Sequence, residues 1–312
     1  MKTAEILAPP PVLVETSAEP VLLDPGLRMK AQAFVDLTKP RIALMVLVTV
    51  AVGYILGARE GIAFGKLALT LVGTALVAGG ASAWNMIIER DRDARMKRTA
   101  NRPLPSGKLA VVEAVVFGSA LALAGVSLLY LTVNGLSSAV AAATFLLYVG
   151  CYTPLKSVTS LNTVVGAIPG ALPPVIGWAA SSGRLGIEAW ELFLIVFLWQ
   201  FPHFLAIAWI YRDDYARGGH KMLPNVDPDG SFTGRQAMWY ASLLVPVGLI
   251  PSMIGLGGRF YFAGALILGF FYFYFAVKFW LDVNDRTARR LLRASILYLP
   301  LILLLLLLNP GQ

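Results

Sequence analysis

The sequence predicts an all-α fold, a polytopic membrane bundle of about nine transmembrane helices, on three observations. The 312 residues are 57% hydrophobic and 14% charged, where a soluble domain carries about 25% charged residues. Several apolar runs approach ~20 residues, long enough to cross a bilayer as helices. The short alternating segments of a membrane β-barrel are missing.

Taken in order, residues 1–31 hold Pro9, Pro10 and Pro11 with scattered acids and no long apolar core. That is neither a secretory signal nor an Arg-rich, acid-poor transit peptide. The segment reads as a disordered cytoplasmic tail, and 32–312 as one transmembrane domain. Apolar runs place spans at 42–58, 67–88, 109–131, 135–151, 163–181, 190–211, 236–256, 260–280 and 291–308. An odd number of crossings puts the termini on opposite sides.

Lys and Arg set the orientation, because cytoplasmic loops hold an excess of them. Of the 26 Lys and Arg, only Arg59, Lys66, Arg184 and Arg259 fall in the odd-numbered connections. The amino-terminal segment and the even-numbered loops hold the rest and are therefore cytoplasmic. The net charge of +8 follows from this topology, so nucleic acid is not an expected partner. A prokaryotic inner membrane is the expected location, with the working face toward the cytoplasm, where the long loops lie. Cys151 is the only cysteine, so no internal disulfide forms. Gly53 and Gly57, and Gly166 and Gly170, suit close helix packing. Gly79 to Ala83 lead into Asn85 and would admit either a substrate or a neighbouring helix.

The chemistry concentrates at the end of the second span. Asn85, Glu89 and Asp93 recur every fourth residue, so a continued helix lines them on one face. Oxygen ligands on one face suit a hard cation such as Mg2+, which in turn holds a diphosphate. Asn85 lies inside the apolar run, where a polar group is costly unless used. Asp91 falls off the shared face. The basic run that follows offers Lys97, Arg98 and Arg102 to phosphate, besides its topological role. Tyr152 and Lys156 open the next cytoplasmic loop and could donate to a phosphate oxygen. Asp213 and Asp214 end the sixth span on the same side, as a second acidic pair or a solvated helix end. Gln200, Pro202 and His203 lie about two turns deeper. His203 is one of two histidines, and an intramembrane histidine is either functional or a helix-helix hydrogen bonder.

The segments Leu37 to Arg41, Asn85 to Gly107, Tyr152 to Lys156, Ser160 to Pro174, Trp199 to His203 and Tyr211 to Tyr215 together resemble the UbiA superfamily of intramembrane aromatic prenyltransferases. The resemblance spans roughly residues 34 to 300 and is closest to the haem-specific branch. It implies a nine-helix bundle around a central cavity and a Mg2+-dependent prenyl transfer. Asn85, Glu89 and Asp93 match the first aspartate-rich motif, Tyr152 and Lys156 a diphosphate-contacting pair, and Asp213 and Asp214 the region of the second motif. Two positions depart from the wider pattern: Glu89 replaces an Asp, and Arg217 stands four residues after Asp213. Both fit the haem branch.

The implied reaction carries a farnesyl group from farnesyl diphosphate to a vinyl group of haem B, giving haem O and diphosphate. Glu89, Asp93 and Asp214 would hold Mg2+, with Lys156, Arg98 and Arg102 adding charge and His203 contacting haem. A downstream haem-modifying enzyme is the expected partner. Transfer to a quinone precursor or another aromatic acceptor uses the same diphosphate residues. A multi-pass transporter is the non-enzyme alternative, disfavoured because the polar residues gather at one surface instead of near the midplane.

Overall fold

The structure is a computed structural model and describes residues 25–311. It begins with α1, Pro25–Leu37. Residues 25–31, expected in the disordered tail, are therefore helical. Proline suits a helix start because its missing N–H has no intrahelical partner there. Ala33 and Leu37 then bury against Ala83, Met86, Leu104, Leu109 and Ala114, and Phe34 meets Phe117 at 4.9 Å between ring centroids. The rest of the expected tail, 1–24, lies outside the described residues.

Eight helices are long and apolar enough to cross a membrane: α2 Pro40–Gly57, α3 Phe64–Asp93, α4 Val111–Thr132, α5 Gly135–Leu155, α6 Asn162–Ser182, α7 Ile187–Ile210, α12 Arg259–Leu281 and α13 Asp285–Leu308. Between α7 and α12 lie short α8 (Arg212–Arg217), short α9 (Leu223–Val226), α10 (Ser231–Val247) and short α11 (Ile250–Met253). The seventh expected span, 236–256, is thus α10 and α11 with a break between. Pro246 and Pro251 lack the N–H that would continue the ladder. The Tyr261 hydroxyl donates to the freed Gly248 carbonyl at 2.7 Å. Among the described residues, eight full spans and one broken crossing make a multi-pass membrane protein.

Neighbours in sequence pack side by side from α2 round to α13, and α13 returns to α2 and α7. Helix α6 is the most buried span. Its Gly177 faces α2 so closely that a Cβ would fall on the Val50 carbonyl oxygen and 2.7 Å from the Tyr54 nitrogen. Both obstacles are backbone, so neither can rotate away. Gly177→Ala is expected to cost about 3 kcal/mol, the upper end for overpacking, read as a lowered Tm in detergent. An unchanged Tm contradicts this account of the α2–α6 contact. At Gly80 a Cβ would meet the Gly118 carbonyl at 2.7 Å and the Ala122 nitrogen at 2.9 Å. That stretch serves helix contact with α4.

Candidate active site

Helix α3 runs unbroken to Asp93, so the four-residue spacing is realised on one face. Asn85, Glu89 and Asp93 are 1%, 3% and 0% exposed. Each meets a cation or a polar group from another segment. Lys39 Nζ donates to Asn85 Oδ1 at 2.7 Å, and Asn85 Nδ2 donates to Thr153 Oγ1 at 3.3 Å. Lys156 Nζ lies 2.8 Å from Glu89 Oε1. Arg102 Nη1 donates to Asp93 Oδ2 at 2.6 Å. Asp91 stays at the surface, paired with its neighbour Arg90 at 2.9 Å.

Local structure explains how these partners arrive. Lys39 sits between α1 and α2 with φ 49°, the one non-glycine residue with positive φ among those described. A residue before proline is ordinarily held in extended backbone. The burial of α1 keeps this turn in the left-handed region, with the ammonium on Asn85. In α5, Pro154 cannot donate to Gly150, and the chain rewinds into a π-helical segment, Leu147–Tyr152. Thr153 Oγ1 donates to the Tyr148 carbonyl at 2.8 Å. Past this turn Lys156 faces Glu89, its ammonium 4.6 Å from the Tyr152 ring centroid. The bare Cα of Gly166 admits that ring: a Cβ would meet its edge.

Three segments cap the same end of the bundle. Lys221 N donates to the Lys156 carbonyl at 2.7 Å, and Asn162 Nδ2 donates to the Lys221 carbonyl at 3.0 Å. Lys97 N donates to Asp214 Oδ1 at 3.2 Å, and Arg217 pairs with the same carboxylate. The Arg98 guanidinium lies over the Tyr211 and Tyr215 rings, 5.1 and 5.8 Å from their centroids.

The expected site residues therefore divide. Asn85, Glu89, Asp93, Arg102, Tyr152 and Lys156 come together. Asp214 and Arg98 tie the capping segments, and Asp213 is exposed on α8. Among the described residues no three His, Cys, Asp or Glu side chains gather as a ready metal cage; the Asp214 carboxylate meets Lys97 N and Arg217. Three further residues join the site in the fold: Lys39, Thr153 and His220. None of the three lies on the four-residue repeat of α3, so helical spacing gives no signal for them. His220 is 4% exposed, its Nδ1 buried and unpartnered, edge-on to Tyr215 at 5.9 Å.

The electrostatics favour an anion. Lys39, Lys156 and Arg102 outnumber Glu89 and Asp93 in this largely buried cluster. Burial, with the Arg102 and Lys156 cations, pulls the Lys39 ammonium down to about 7 against the pull of Glu89 and Asp93. Burial also opposes charge on Lys156, but Tyr152 and Glu89 outweigh it and hold that ammonium above its usual range. Burial brings His220 down to about 4, so it is neutral. Buried ion pairs add little net stability, and such a set in a membrane protein points to function. Asp93 Oδ1 is buried without a hydrogen-bond partner, a free hard oxygen one helical turn from Glu89. Two carboxylates and no cage fit Mg2+, which keeps waters and completes its shell with substrate phosphate.

His203 lies apart, on α7 against α13. Its ring stacks on Trp199, centroids 4.8 Å apart, and Nδ1 lies 2.7 Å from Ser295 Oγ. Ser295 Oγ donates its one proton to the Leu292 carbonyl at 2.6 Å, so it accepts from His203 Nδ1–H. Nε2 is then the nitrogen with the lone pair. Gln200 Nε2 donates to the Ala167 and Val196 carbonyls at 3.2 and 3.1 Å, a helix-packing role.

Residues 46–304 match the UbiA prenyltransferase family. The chain is 48% identical to a protoheme IX farnesyltransferase of Solibacter usitatus, covering 89% of this chain and 99% of that one. It is 43% identical to a protoheme IX farnesyltransferase of Salinibacter ruber, covering 88% and 98%. Among solved structures it resembles a digeranylgeranylglyceryl phosphate synthase (TM-score 0.76, 18% identity, 90% and 98% covered). It also resembles a UbiA homolog from Archaeoglobus fulgidus bound to GPP and Mg2+ (TM-score 0.66, 16% identity, 88% and 99% covered).

Proposed function

We propose that this chain, which belongs to the UbiA prenyltransferase family, transfers a farnesyl group from farnesyl diphosphate to a vinyl group of haem B. Water completes the new hydroxyethylfarnesyl substituent, and the products are haem O and diphosphate. The observation that carries the proposal is the buried Asn85, Glu89, Asp93 face met by Lys39, Lys156 and Arg102. The relatives named above supply the substrate class.

In this reaction Lys156, Arg102 and Lys39 bind the diphosphate and neutralise it as the C–O bond breaks. Asn85 orients Lys39 through its amide oxygen. Glu89 and Asp93 would hold Mg2+, which when bound would supply Lewis-acid charge to the departing diphosphate. Tyr152 packs beside Lys156 and fixes its position. Asp214 anchors the Lys97 to Arg98 segment over the site. Asp213, exposed, is assigned no contact with substrate. The buried setting keeps water from the allylic cation until the vinyl carbon has attacked. We place the site on the cytoplasmic side of a prokaryotic inner membrane, since the basic residues lie at this end. Haem O then passes to a downstream haem-modifying enzyme.

Purified enzyme given haem B, farnesyl diphosphate and Mg2+ should yield a heavier, farnesylated haem by mass spectrometry. A prenylated aromatic acid formed in preference, when both acceptors are supplied, would redirect the assignment.

His203 is proposed to bind haem iron through Nε2, its tautomer held by Ser295, as a second-shell partner holds a metal-bound imidazole. His203→Ala should shift the Soret band of bound haem and weaken its affinity, while leaving inorganic pyrophosphate binding intact. An unchanged spectrum and affinity would exclude the ligand role.

Lys39 makes diphosphate binding pH-dependent. Its ammonium titrates near 7, so it is charged below that pH and neutral above. Affinity for farnesyl diphosphate should fall as pH rises from 7 toward 9, by up to about tenfold per unit. In Lys39→Arg the cation persists at every such pH, and the slope should flatten. Equal slopes in the two proteins would exclude Lys39 as the titrating group.

A further inference from the structure

Helix α13 opens with Asp285 and then carries Arg286, Arg289, Arg290 and Arg293. This spacing sets all four guanidinium groups on one stripe. Together they line a surface groove of about 390 Å3. Their charge finds little relief. Asp285 is shared between Arg212 at 2.9 Å and Arg289 at 3.9 Å. Arg286, Arg290 and Arg293 have no carboxylate partner among the described residues. The position aggravates this, because a helix amino terminus favours anions. Asn284 Oδ1 already caps the helix, accepting from Arg286 N and Thr287 N at 2.9 and 3.0 Å. An incoming anion would therefore be held by the arginine side chains.

The stripe does not stop at Arg293. Continued at helical spacing, it runs into Leu297, Leu301, Leu304 and Leu308, which are 53%, 42%, 47% and 72% exposed. These leucines lie on a membrane-spanning helix and face outward from the bundle, so they meet acyl chains. A ligand with an anionic head and an apolar tail matches the whole length of this face.

We propose that the α13 stripe is a binding site for an anionic phospholipid of the surrounding bilayer. The phosphate lies among Arg286, Arg289, Arg290 and Arg293, and an acyl chain lies along Leu297 to Leu308. Arginine suits this role because its planar fork bonds phosphate oxygens in pairs. A topological signal alone needs basic residues anywhere in the loop. It does not need them on one helical face in register with lipid-facing leucines. The groove also lacks the paired carboxylates of the candidate active site, so it is not built for a metal-bridged diphosphate. Basic clusters at the cytoplasmic end of a membrane helix favour anionic lipids by roughly tenfold or less for each residue.

The test uses the full chain in bilayer nanodiscs of phosphatidylcholine with phosphatidylglycerol, released for native mass spectrometry. The wild type should retain phosphatidylglycerol over phosphatidylcholine. Arg289→Gln with Arg290→Gln should lower that preference about 30-fold, with farnesyl transfer intact. Arg286 and Arg293 remain in this variant to keep the topology. Equal retention of the two lipids by the wild type overturns the proposal, and so does undiminished preference in the variant. Displacement of the lipid by inorganic phosphate overturns the lipid source. Displacement by farnesyl diphosphate reassigns the groove to substrate. If the variant does not fold, the wild-type lipid preference decides alone.

Discussion

Glu89→Gln and Asp93→Asn should each lower turnover by about a thousandfold, the scale of losing one buried electrostatic contact to the transition state. Each change keeps the side-chain shape and removes the charge. Glu89 loses its attraction for both the cation and Lys156, and Asp93 loses its hold on Arg102. Each also leaves a buried cation without its partner, which costs about 3–5 kcal/mol of stability. The assay therefore runs beside a thermal melt and a size-exclusion profile, on protein that remains folded at the assay temperature. Folded variants that convert haem B at near-normal rates would remove these carboxylates from the chemistry. If instead only the Tm falls, they are structural ion pairs.

Lys156→Met should raise the KM for farnesyl diphosphate about 100-fold, as expected for truncating one partner of a buried charge pair. Three contacts fix Lys156 in place. Glu89 lies 2.8 Å from its ammonium, the Tyr152 ring 4.6 Å away, and Lys221 N bonds its carbonyl at 2.7 Å. Methionine keeps the apolar stem and removes the charge, so the fold tolerates it better than a truncation would. The remaining Glu89 then faces an incoming diphosphate with its charge unopposed, which deepens the loss of affinity. Lys156→Arg should recover part of it, because the charge returns but its geometry differs. A KM within twofold of wild type for Lys156→Met would show that diphosphate binds elsewhere.

Much of this site was legible because one helix carries its centre. The spacing of Asn85, Glu89 and Asp93 is local, and α3 runs straight through it. Lys156 was legible as a lone cation beside an apolar run. Lys39 was not, because nothing in periodicity links a residue to a partner 46 positions later. The one local signal was a lysine before a proline at the mouth of a span. His220 lies in a loop whose course depends on contacts with Lys156 and Asn162, which no pattern in the loop itself reveals. Asp213 and Asp214 looked equivalent in the sequence, and the short turn of α8 separates them. One is exposed, and the other takes Lys97 N and Arg217. The broken crossing was hidden because apolar composition alone is silent on hydrogen bonds. Pro246, Gly248 and Pro251 were the visible markers. Residues 25–31 escaped because α1 is stabilised by docking on α3 and α4 more than by its own composition.

A structure determined with a non-hydrolysable farnesyl diphosphate analogue and Mg2+ addresses the central assignment most directly. The diphosphate is expected among Lys39, Arg102 and Lys156, with the metal bound by Glu89 and Asp93. Diphosphate bound away from these residues, with the Lys156–Glu89 and Arg102–Asp93 pairs unbroken and no metal between the carboxylates, would contradict it.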